Sequence, residues 1–505
     1  MLKRNIIANY LGQGVAAIMA LAFIPTYIGY LGVEAYGLIG VFTVMQTWFV
    51  LLDMGASQTL AREMSRFTAG MYSGKSIWVL LRSLEAVIYL VACCSVIAIW
   101  LCSDWVATQW LSAEKLPDER VARALAVAGL VVGLRIIEGV YRNVLLGLQR
   151  QVWFNCAHAV IATLRFGGVV AVLAFVSPTI EAFFYWQVLV SALAVMVYAI
   201  KVYSLLPRIG VIVWPSRRAL ASVIGFAGGL FGINLLSVIL TQIDKVILSR
   251  LLSLEYFGYY VLAATLAGGI SLVIGPITQA LYPRLVELHA TSDEAGFSRL
   301  FHLGAQLVTL ASAPIMLTMA FFSDELLYLW SGDADLARNA GYLLMPLALG
   351  FFLNSLMWMP YQSQLATGWT RLSLVINLLA VGILVPLILH FVPEYGAVAA
   401  AWIWVLLNAG YILVVAQLMH RRILRGEKAR WYLADLITPV LGALLALSVI
   451  KYLVFPGMEI DSRIEMGIAV FLAYAVVLVL VAPLCNQIWP RVRNRFLTSS
   501  AQSFF

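Results

Sequence analysis

Charged residues are scarce in this chain. Asp, Glu, Lys and Arg together make up 11% of its 505 residues, whereas hydrophobic residues make up 62% and the mean hydropathy is +0.92. A soluble globular domain carries about 25% charged residues, so this composition excludes that class of protein. Because the apolar runs are long enough to cross a bilayer as helices, the sequence predicts an all-α polytopic membrane protein.

Sequence patterns of catalysis and metal binding are also missing. The five cysteines show no metal-ligand spacing and most fall inside apolar runs, so we interpret them as ordinary buried residues. There is no glycine-rich phosphate loop and no zinc-ligand pattern. The longest outer loops, about residues 103–120 and 323–338, are too short for a catalytic domain. We therefore expect neither an enzyme nor a bound cofactor or metal.

Apolar runs long enough to span a bilayer occur about fourteen times. Polar residues or glycine interrupt the fourth, seventh and eighth of them, so their boundaries are the least sharply defined. The predicted helices cover residues 6–30, 37–59, 77–102, 121–147, 153–176, 181–205, 222–248, 257–282, 300–322, 339–365, 371–392, 395–418, 433–455 and 464–484.

Basic residues are distributed unequally between the two sets of loops. One set, with the chain ends, holds most of the lysine and arginine, including Arg62, Arg66 and Lys75, whereas the other is rich in acids such as Glu114 and Asp324. Because basic loops stay in the cytoplasm, both termini are predicted to be cytoplasmic. The net charge of +8 suits an anionic inner leaflet and does not indicate nucleic-acid binding.

Two short segments recur about 221 residues further along the chain. Residues 31–38 (LGVEAYGL) align with residues 252–259 (LSLEYFGY), and residues 147–150 (GLQR) align with residues 368–371 (GWTR). The offset predicts two parallel six-helix repeats around a central cavity. They would form an N-lobe of residues 1–205 and a C-lobe of residues 222–420, joined by a cytoplasmic linker of residues 206–221. Residues 421–505 would add a C-terminal helix pair and a basic cytoplasmic tail.

Three charges share one face of the fourth predicted helix. Steps of three and seven residues place Arg135, Glu138 and Arg142 within about 60° of one another. A charge near the bilayer centre costs about 3 kcal/mol on insertion scales, so these side chains should face a bundle interior or a wet cavity. Two interpretations stay open at this point. The face is either a buried arginine–glutamate pair that ties helices together or a cationic substrate-binding site in a transport path.

Other ionisable residues of the N-lobe also recur at one-face spacings. We interpret them as lining the same cavity, against the alternative that each stripe is a separate interhelical contact. Histidine could bind a coupling proton, although a lone helical histidine is more often structural. The spaced pairs are Gln46 with Asp53, Arg82 with Glu85, and His158 with Arg165.

The C-lobe has fewer charges within its helices. Asp244 and Lys245 lie toward the outer end of the seventh predicted helix, where they form either a hydrated interfacial pair or an ionic gate. The remaining polar residues are mainly amides: Gln279, Asn354, Gln362, Asn377 and Asn408. This lobe could therefore supply an apolar route.

The order of several motifs resembles a known family. Residues 30–38 (YLGVEAYGL) are followed by residues 52–55 (LDMG) and Arg62, and residues 242–250 (QIDKVILSR) precede residues 257–260 (FGYY). This order is similar to the polysaccharide-export branch of the multidrug/oligosaccharidyl-lipid/polysaccharide (MOP) exporter superfamily, that is, the Wzx-type O-antigen flippases. The similarity covers helices 1–12, and the additional pair looks like that of the lipid II flippase branch.

The resemblance implies a flippase of the cell inner membrane that moves undecaprenyl-diphosphate-linked oligosaccharide by alternating access. Its partners would be that substrate, membrane lipids, a coupling ion such as H⁺ or Na⁺, and glycan polymerases. Arginine suits a diphosphate because its planar fork donates two parallel hydrogen bonds. One alternative is a cation-coupled multidrug exporter, whose cavity would contain carboxylates that are not paired with basic residues. Another is a membrane glycan polymerase or ligase, which normally needs a large outer loop.

Overall fold

The structure is a computed structural model that describes residues 14–485 except residues 17, 54, 69, 208–212, 222–223 and 455–462. For residues 224–234, 370, 463 and 464 it describes the backbone alone. The predicted start of the first helix at residues 6–13, part of the predicted linker and the basic tail lie outside the described residues.

The described chain is helical apart from short connections and a single-residue bridge between Ser112 and Ser253. Contacts divide it into two compact units, the first ending at Gly258 and the second beginning at Tyr259. The first unit contains α1 Gly14–Leu31, α2 Val33–Val50, α3 Ala56–Thr68, α4 Gly74–Trp105, α5 Asp118–Gly147, α6 Gln151–Phe175, α7 Ile180–Leu205, α8 Arg217–Ala221 and α9 Ile224–Leu251.

The second unit begins within α10 and runs to the end of the described chain. Its helices are α10 Leu254–Ala290, α11 Glu294–Phe321, α12 Ser323–Ser331, α13 Ala334–Leu356, α14 Trp358–Ala366, α15 Thr370–Tyr395, α16 Ala397–Gly410, α17 Ala416–Arg422, α18 Lys428–Arg430, α19 Thr438–Val449 and α20 Arg463–Val481. The segments Val106–Trp110, Tyr411–Val415, Trp431–Ile437 and Ile450–Val454 are π-helical, and Leu51–Asp53 and Ala482–Leu484 are 3₁₀-helical.

Thirteen helical segments of the described chain are long and apolar enough to cross a membrane. They coincide with thirteen of the fourteen predicted helices, and the predicted seventh helix corresponds to the 28-residue helix α9. The all-α polytopic class is thus confirmed. The repeat, the lobe boundaries and the orientation of the termini stay predictions.

The predicted second helix, residues 37–59, has the wrong boundaries. α2 begins four residues earlier, the span ends at Asp53, and a separate polar helix, α3, begins at Ala56. Gly55 has a φ of +73°, which an L-residue with a side chain rarely adopts, so the helix cannot continue through it. The sequence prediction ran through this break because a helix-length hydropathy window averages the apolar end of the span with the first residues of α3.

The start of α2 packs closely on the start of α10, within the first unit. A Cβ atom on Gly37 would collide with the carbonyl oxygen of Leu254 and lie 3.3 Å from the backbone nitrogen of Gly258. A Cβ atom on Gly258 would lie 2.6 Å from the carbonyl oxygen of Val33. Two glycines therefore allow these backbones to approach, as small residues do at close helix crossings.

The loop between α4 and α5 is held at the same corner. Glu34, only 4% exposed, accepts hydrogen bonds from the backbone nitrogens of Glu114 at 2.5 Å and Lys115 at 2.8 Å. The Nζ atom of Lys115 lies 2.5 Å from a carboxylate oxygen of Glu255. Because a buried carboxylate needs such donors, Glu34 fixes the loop against the start of α2.

Candidate functional site

A polar cavity of about 440 Å³ lies inside the first unit. That volume falls in the range of small-molecule sites in proteins. Side chains from α2, α3, α5 and α9 and from the turn between α2 and α3 surround it. Its lining comprises Gln46, Thr47, Val50, Leu51, Asp53, Gly55, Ser57, Gln58, Arg135, Ile136, Glu138, Gly139, Arg142, Asn143, Ser237 and Val238.

Helix α5 supplies three of the four charged side chains that line this cavity. Arg135, Glu138 and Arg142 all line it, so the helical spacing of these three residues places them on one face as predicted. Among the described residues, Arg142 is exposed to the cavity and forms no ion pair, and the Nε atom of Arg135 is buried without a hydrogen-bond partner. Both guanidinium groups therefore keep donors for a ligand.

Glu138 is neutralised by Arg165 of the neighbouring helix α6. Their side chains are 7% and 3% exposed, and an Nη atom of Arg165 donates to Glu138 at 2.9 Å. Arg165 does not line the cavity. The interpretation as a buried ion pair that ties helices together therefore applies to Glu138 and Arg165. Arg135 and Arg142 take no part in that ion pair.

Asp53 lies at the turn that separates α2 from α3. Its carboxylate accepts hydrogen bonds from the hydroxyl of Ser57 at 2.9 Å and from the backbone nitrogen of Ser57 at 3.1 Å. A carboxylate at a helix start is stabilised by the free backbone N–H groups there. Asp53 also lies near enough to Arg142 to interact with it electrostatically.

Arg82 and Glu85 belong to a different cluster. An Nη atom of Arg82 donates to Glu85 at 3.1 Å, and the hydroxyl of Tyr203 donates to Glu85 at 2.7 Å. The Arg82 guanidinium lies over the rings of Trp78 and Tyr203, 5.6 Å and 5.2 Å from their centroids. Neither Arg82 nor Glu85 lines the cavity. The structure does not bring them together with Arg135 and Arg142.

The predicted coupling or gate residues also lie away from the cavity lining. His158 stacks on Phe154 with ring centroids 5.4 Å apart, and its Nδ1 atom makes no hydrogen bond within the described chain. Lys245 lies 3.5 Å from Asp244 and donates to the carbonyl oxygen of Thr241 at 3.1 Å. In the second unit, Asn354 donates to Asn408 at 2.9 Å, and Asn377 accepts a hydrogen bond from the hydroxyl of Tyr411 at 3.1 Å.

Five polar residues of the cavity were missed by the sequence analysis: Thr47, Ser57, Gln58, Asn143 and Ser237. Ser57 and Gln58 belong to α3, which hydropathy merges with the preceding span. Asn143 follows Arg142 directly, and helical spacing from Gly139 would have placed it on the same wall. These groups surround the two arginines with neutral donors and acceptors, an arrangement suited to a polar ligand that carries an anionic group.

Two family models match the chain. The model described as "Polysaccharide biosynthesis protein" matches residues 2–289, and the model described as "MatE" matches residues 230–389. A curated relative from Shigella flexneri, named "Putative O-antigen transporter", is 20% identical over 401 residues, which are 79% of this chain and 93% of that protein.

Solved structures with low sequence identity share the fold. A lipid II flippase MurJ in an inward closed conformation is 13% identical, with a TM-score of 0.69 over 94% of this chain and 97% of that one. An inward-facing multidrug resistance MATE family transporter of the MOP superfamily is 14% identical, with a TM-score of 0.64 over 83% of this chain and 94% of that one.

Proposed function

This chain belongs to the polysaccharide biosynthesis protein family, on the Wzx-like branch of the MOP superfamily, and from this premise we propose that it flips lipid-linked oligosaccharide across the cytoplasmic membrane. The lipid carrier in this proposal is undecaprenyl diphosphate, and the mechanism is alternating access between the N-lobe, residues 1–205, and the C-lobe, residues 222–420. Both termini are cytoplasmic, and the chain is a transporter and not an enzyme.

The observation that carries the proposal is that Arg135 and Arg142 line the cavity and make no ion pair with any residue that the structure describes. The cavity and its immediate surroundings contain three arginines (Arg135, Arg142 and Arg165) and two carboxylates (Asp53 and Glu138). Arg165 already neutralises Glu138. A diphosphate is an anion that two guanidinium groups can bind bidentately. Gln46, Gln58 and Asn143 offer amides to the hydroxyl groups of the attached sugars.

The test is transport of a fluorescent lipid-linked oligosaccharide by the purified full-length protein in proteoliposomes, with and without H⁺ or Na⁺ gradients. The matched probe carries the same lipid and glycan joined by a single phosphate. We expect the diphosphate probe to cross and the monophosphate probe to cross more slowly, because the second phosphate supplies half of the anionic contacts. Equal rates for both probes would contradict a diphosphate site.

A second candidate function is cation-coupled multidrug export, which the cavity carboxylate Asp53 and the match to the MatE model favour. In that function Asp53 would bind a cation, and a cationic dye would be the substrate. Transport assays in the same proteoliposomes distinguish a flippase from a multidrug exporter. Movement of the dye without movement of the diphosphate probe would replace the first proposal by the second.

A further inference from the structure

A buried ion cluster fastens the start of the last two spans to α11, in the second unit. His302 of α11 has a side chain with no exposure to solvent. Its Nδ1 atom contacts an oxygen of Asp435, and its Nε2 atom lies 3.0 Å from an oxygen of Glu427. Asp435 lies in the π-helical segment Trp431–Ile437, and Glu427 lies four residues before that segment. We call His302, Asp435 and Glu427 the histidine clamp.

Neighbouring donors complete the clamp. The side-chain nitrogen of Gln306 donates to the second oxygen of Asp435 at 2.8 Å, and the hydroxyl of Ser298 donates to the second oxygen of Glu427 at 2.9 Å. Gln306 and Ser298 lie one turn to either side of His302 on α11. All four carboxylate oxygens therefore have partners, as buried charges require.

The geometry demands a proton. A neutral imidazole has one N–H group and can donate to one carboxylate only, whereas here each ring nitrogen faces a carboxylate oxygen. Both contacts are hydrogen bonds only when the ring carries two protons or when one carboxyl group is protonated. In both cases the clamp holds one proton in addition to the single ring proton of a neutral imidazole.

We propose that the histidine clamp is a proton-dependent latch. The bound proton fixes residues 427–437 against α11, and its loss at high pH releases them. Without the proton, one ring nitrogen would present a lone pair to a carboxylate oxygen, and two acceptors in contact repel each other. Glu427 is 30% exposed, so it can leave toward solvent while Asp435 stays buried.

Release of the clamp would affect the last two candidate spans. Residues 428–454 form the first of these spans, and residues 465–484 form the second. π-helical turns are rare and occur frequently at functional sites. The basic loops predict this end of α11 to be cytoplasmic, so the latch would respond to cytoplasmic pH. This role concerns the attachment of the last two spans and is independent of what the protein transports.

Few other groups around the clamp can titrate in the same range. Lysine and arginine stay charged at neutral pH. On α11, on α17 and beside Glu427 they are Arg299, Arg421, Arg422, Arg425, Lys428 and Arg430, and Arg430 lies 3.7 Å from the Glu427 carboxylate. Burial, with the nearby Asp435 carboxylate, raises the pKa of the Cys485 thiol to about 12, so it stays protonated. His420 of α17 is the remaining group, and its ring lies between those of Phe301 and Trp431, 5.8 Å and 5.3 Å away.

Hydrogen–deuterium exchange tests the latch in the full-length protein in lipid nanodiscs. The amides of residues 423–437 are compared at about pH 6 and about pH 9, on either side of the range in which histidine titrates, after correction for intrinsic exchange rates. For the unmodified protein we expect protection to fall about tenfold or more at the higher pH, because loss of the bound proton releases the segment from α11.

Two variants separate the latch from general loosening. His302→Gln cannot bind the proton, so its protection should not change with pH beyond the intrinsic correction. His420→Gln removes the neighbouring histidine and leaves the clamp intact, so its protection should change as in the unmodified protein. A flat profile in the unmodified protein, or the full pH change in His302→Gln, would overturn the proposal.

If His302→Gln does not fold, Glu427→Gln provides a second test of the latch. The amide leaves Asp435 as the single carboxylate on the ring, and a neutral imidazole satisfies that contact with its one N–H group. We therefore expect Glu427→Gln to be folded and to show little pH dependence in residues 423–437. A pH change equal to that of the unmodified protein would reject the latch.

Discussion

An arginine that lines a polar cavity without an ion pair keeps its donors for a ligand. Arg142 is such a residue, and Arg135 has a buried Nε atom without a partner within the described chain. Burying an unpaired guanidinium destabilises a protein, so the fold tolerates this arrangement only where water or a ligand can reach the charge. The cavity provides that access, which makes Arg142 the residue whose loss should affect function most and folding least.

We expect Arg142→Ala to reduce transport of the diphosphate probe at least about tenfold, because each charge-assisted hydrogen bond contributes about 1.5 to 3 kcal/mol. Arg142→Lys should recover transport in part, since lysine keeps the charge and loses the bidentate fork. Transport rate per unit of reconstituted protein is the measurement. Arg123→Ala is the matched control, because Arg123 pairs with Glu119 at the far end of the same helix. A fully active Arg142→Ala would remove this residue from the site.

The pair Glu138–Arg165 calls for a different experiment because both side chains are buried. Arg165→Met leaves the Glu138 carboxylate without its direct partner, and such a loss costs about 3 to 5 kcal/mol. The double variant Arg165→Met with Glu138→Gln should recover most of that stability, since a buried pair can be replaced by neutral groups. Thermal unfolding in detergent measures both. Equal stability of the single and double variants would contradict the expected cost of leaving the Glu138 carboxylate unpaired.

The sequence predicted the site only as far as helical periodicity reaches. Arg135, Glu138 and Arg142 share one helix, so their spacing alone placed them on one wall of the cavity. Arg165 and Arg82 lie on other helices, and the rotation of those helices decides that Arg165 meets Glu138 and that Arg82 meets Glu85 and Tyr203. For the same reason the sequence did not predict the histidine clamp, in which His302 is more than 120 residues from both Glu427 and Asp435.

At the scale of the helices, hydropathy predicts where a span exists and backbone chemistry decides where it ends. α10 continues through Pro276 and Pro283 to Ala290, eight residues past its predicted end. A proline costs one hydrogen bond, and neighbouring helices in a bundle can compensate for that loss. In contrast, Gly55 ends the second span because its positive φ is incompatible with a continuing helix.

The glycine contact between α2 and α10 gives a prediction at this scale. In Gly37→Ala the new methyl group would meet the carbonyl oxygen of Leu254, and overpacking of this kind costs about 1 to 3 kcal/mol. Alanine favours a helix by about 1 kcal/mol over glycine, so the net change should still be destabilising. Gly29→Ala is the matched control, since no atom lies within 4 Å of its added Cβ. Thermal unfolding in detergent should rank Gly37→Ala below both Gly29→Ala and the unmodified protein.

For the whole molecule, the all-α class followed from composition and thirteen of the predicted spans from the apolar runs, whereas the grouping of helices did not. In the predicted repeat, Val33 at the start of α2 is equivalent to Leu254 at the start of α10. Contacts nevertheless assign residues up to Gly258 to the first unit, so the unit boundary lies past the predicted linker. Packing around α9 determines that boundary, and local sequence carries no signal of it. The two-lobe division stays part of the proposal.

Orientation in the membrane is the remaining property that the sequence predicts for the whole molecule. Glu114, Asp118 and Glu119 lie where α4 connects to α5, and Lys75 lies in the first turn of α4, so the first region should face outward and the second inward. In a variant without the five native cysteines, Asp118→Cys should react with an impermeant thiol reagent added to intact cells. Lys75→Cys should react only after the cells are opened. Both positions are exposed, so a missing reaction reports the membrane side and not burial. The opposite labelling pattern would reverse the orientation, and the histidine clamp would then respond to external pH.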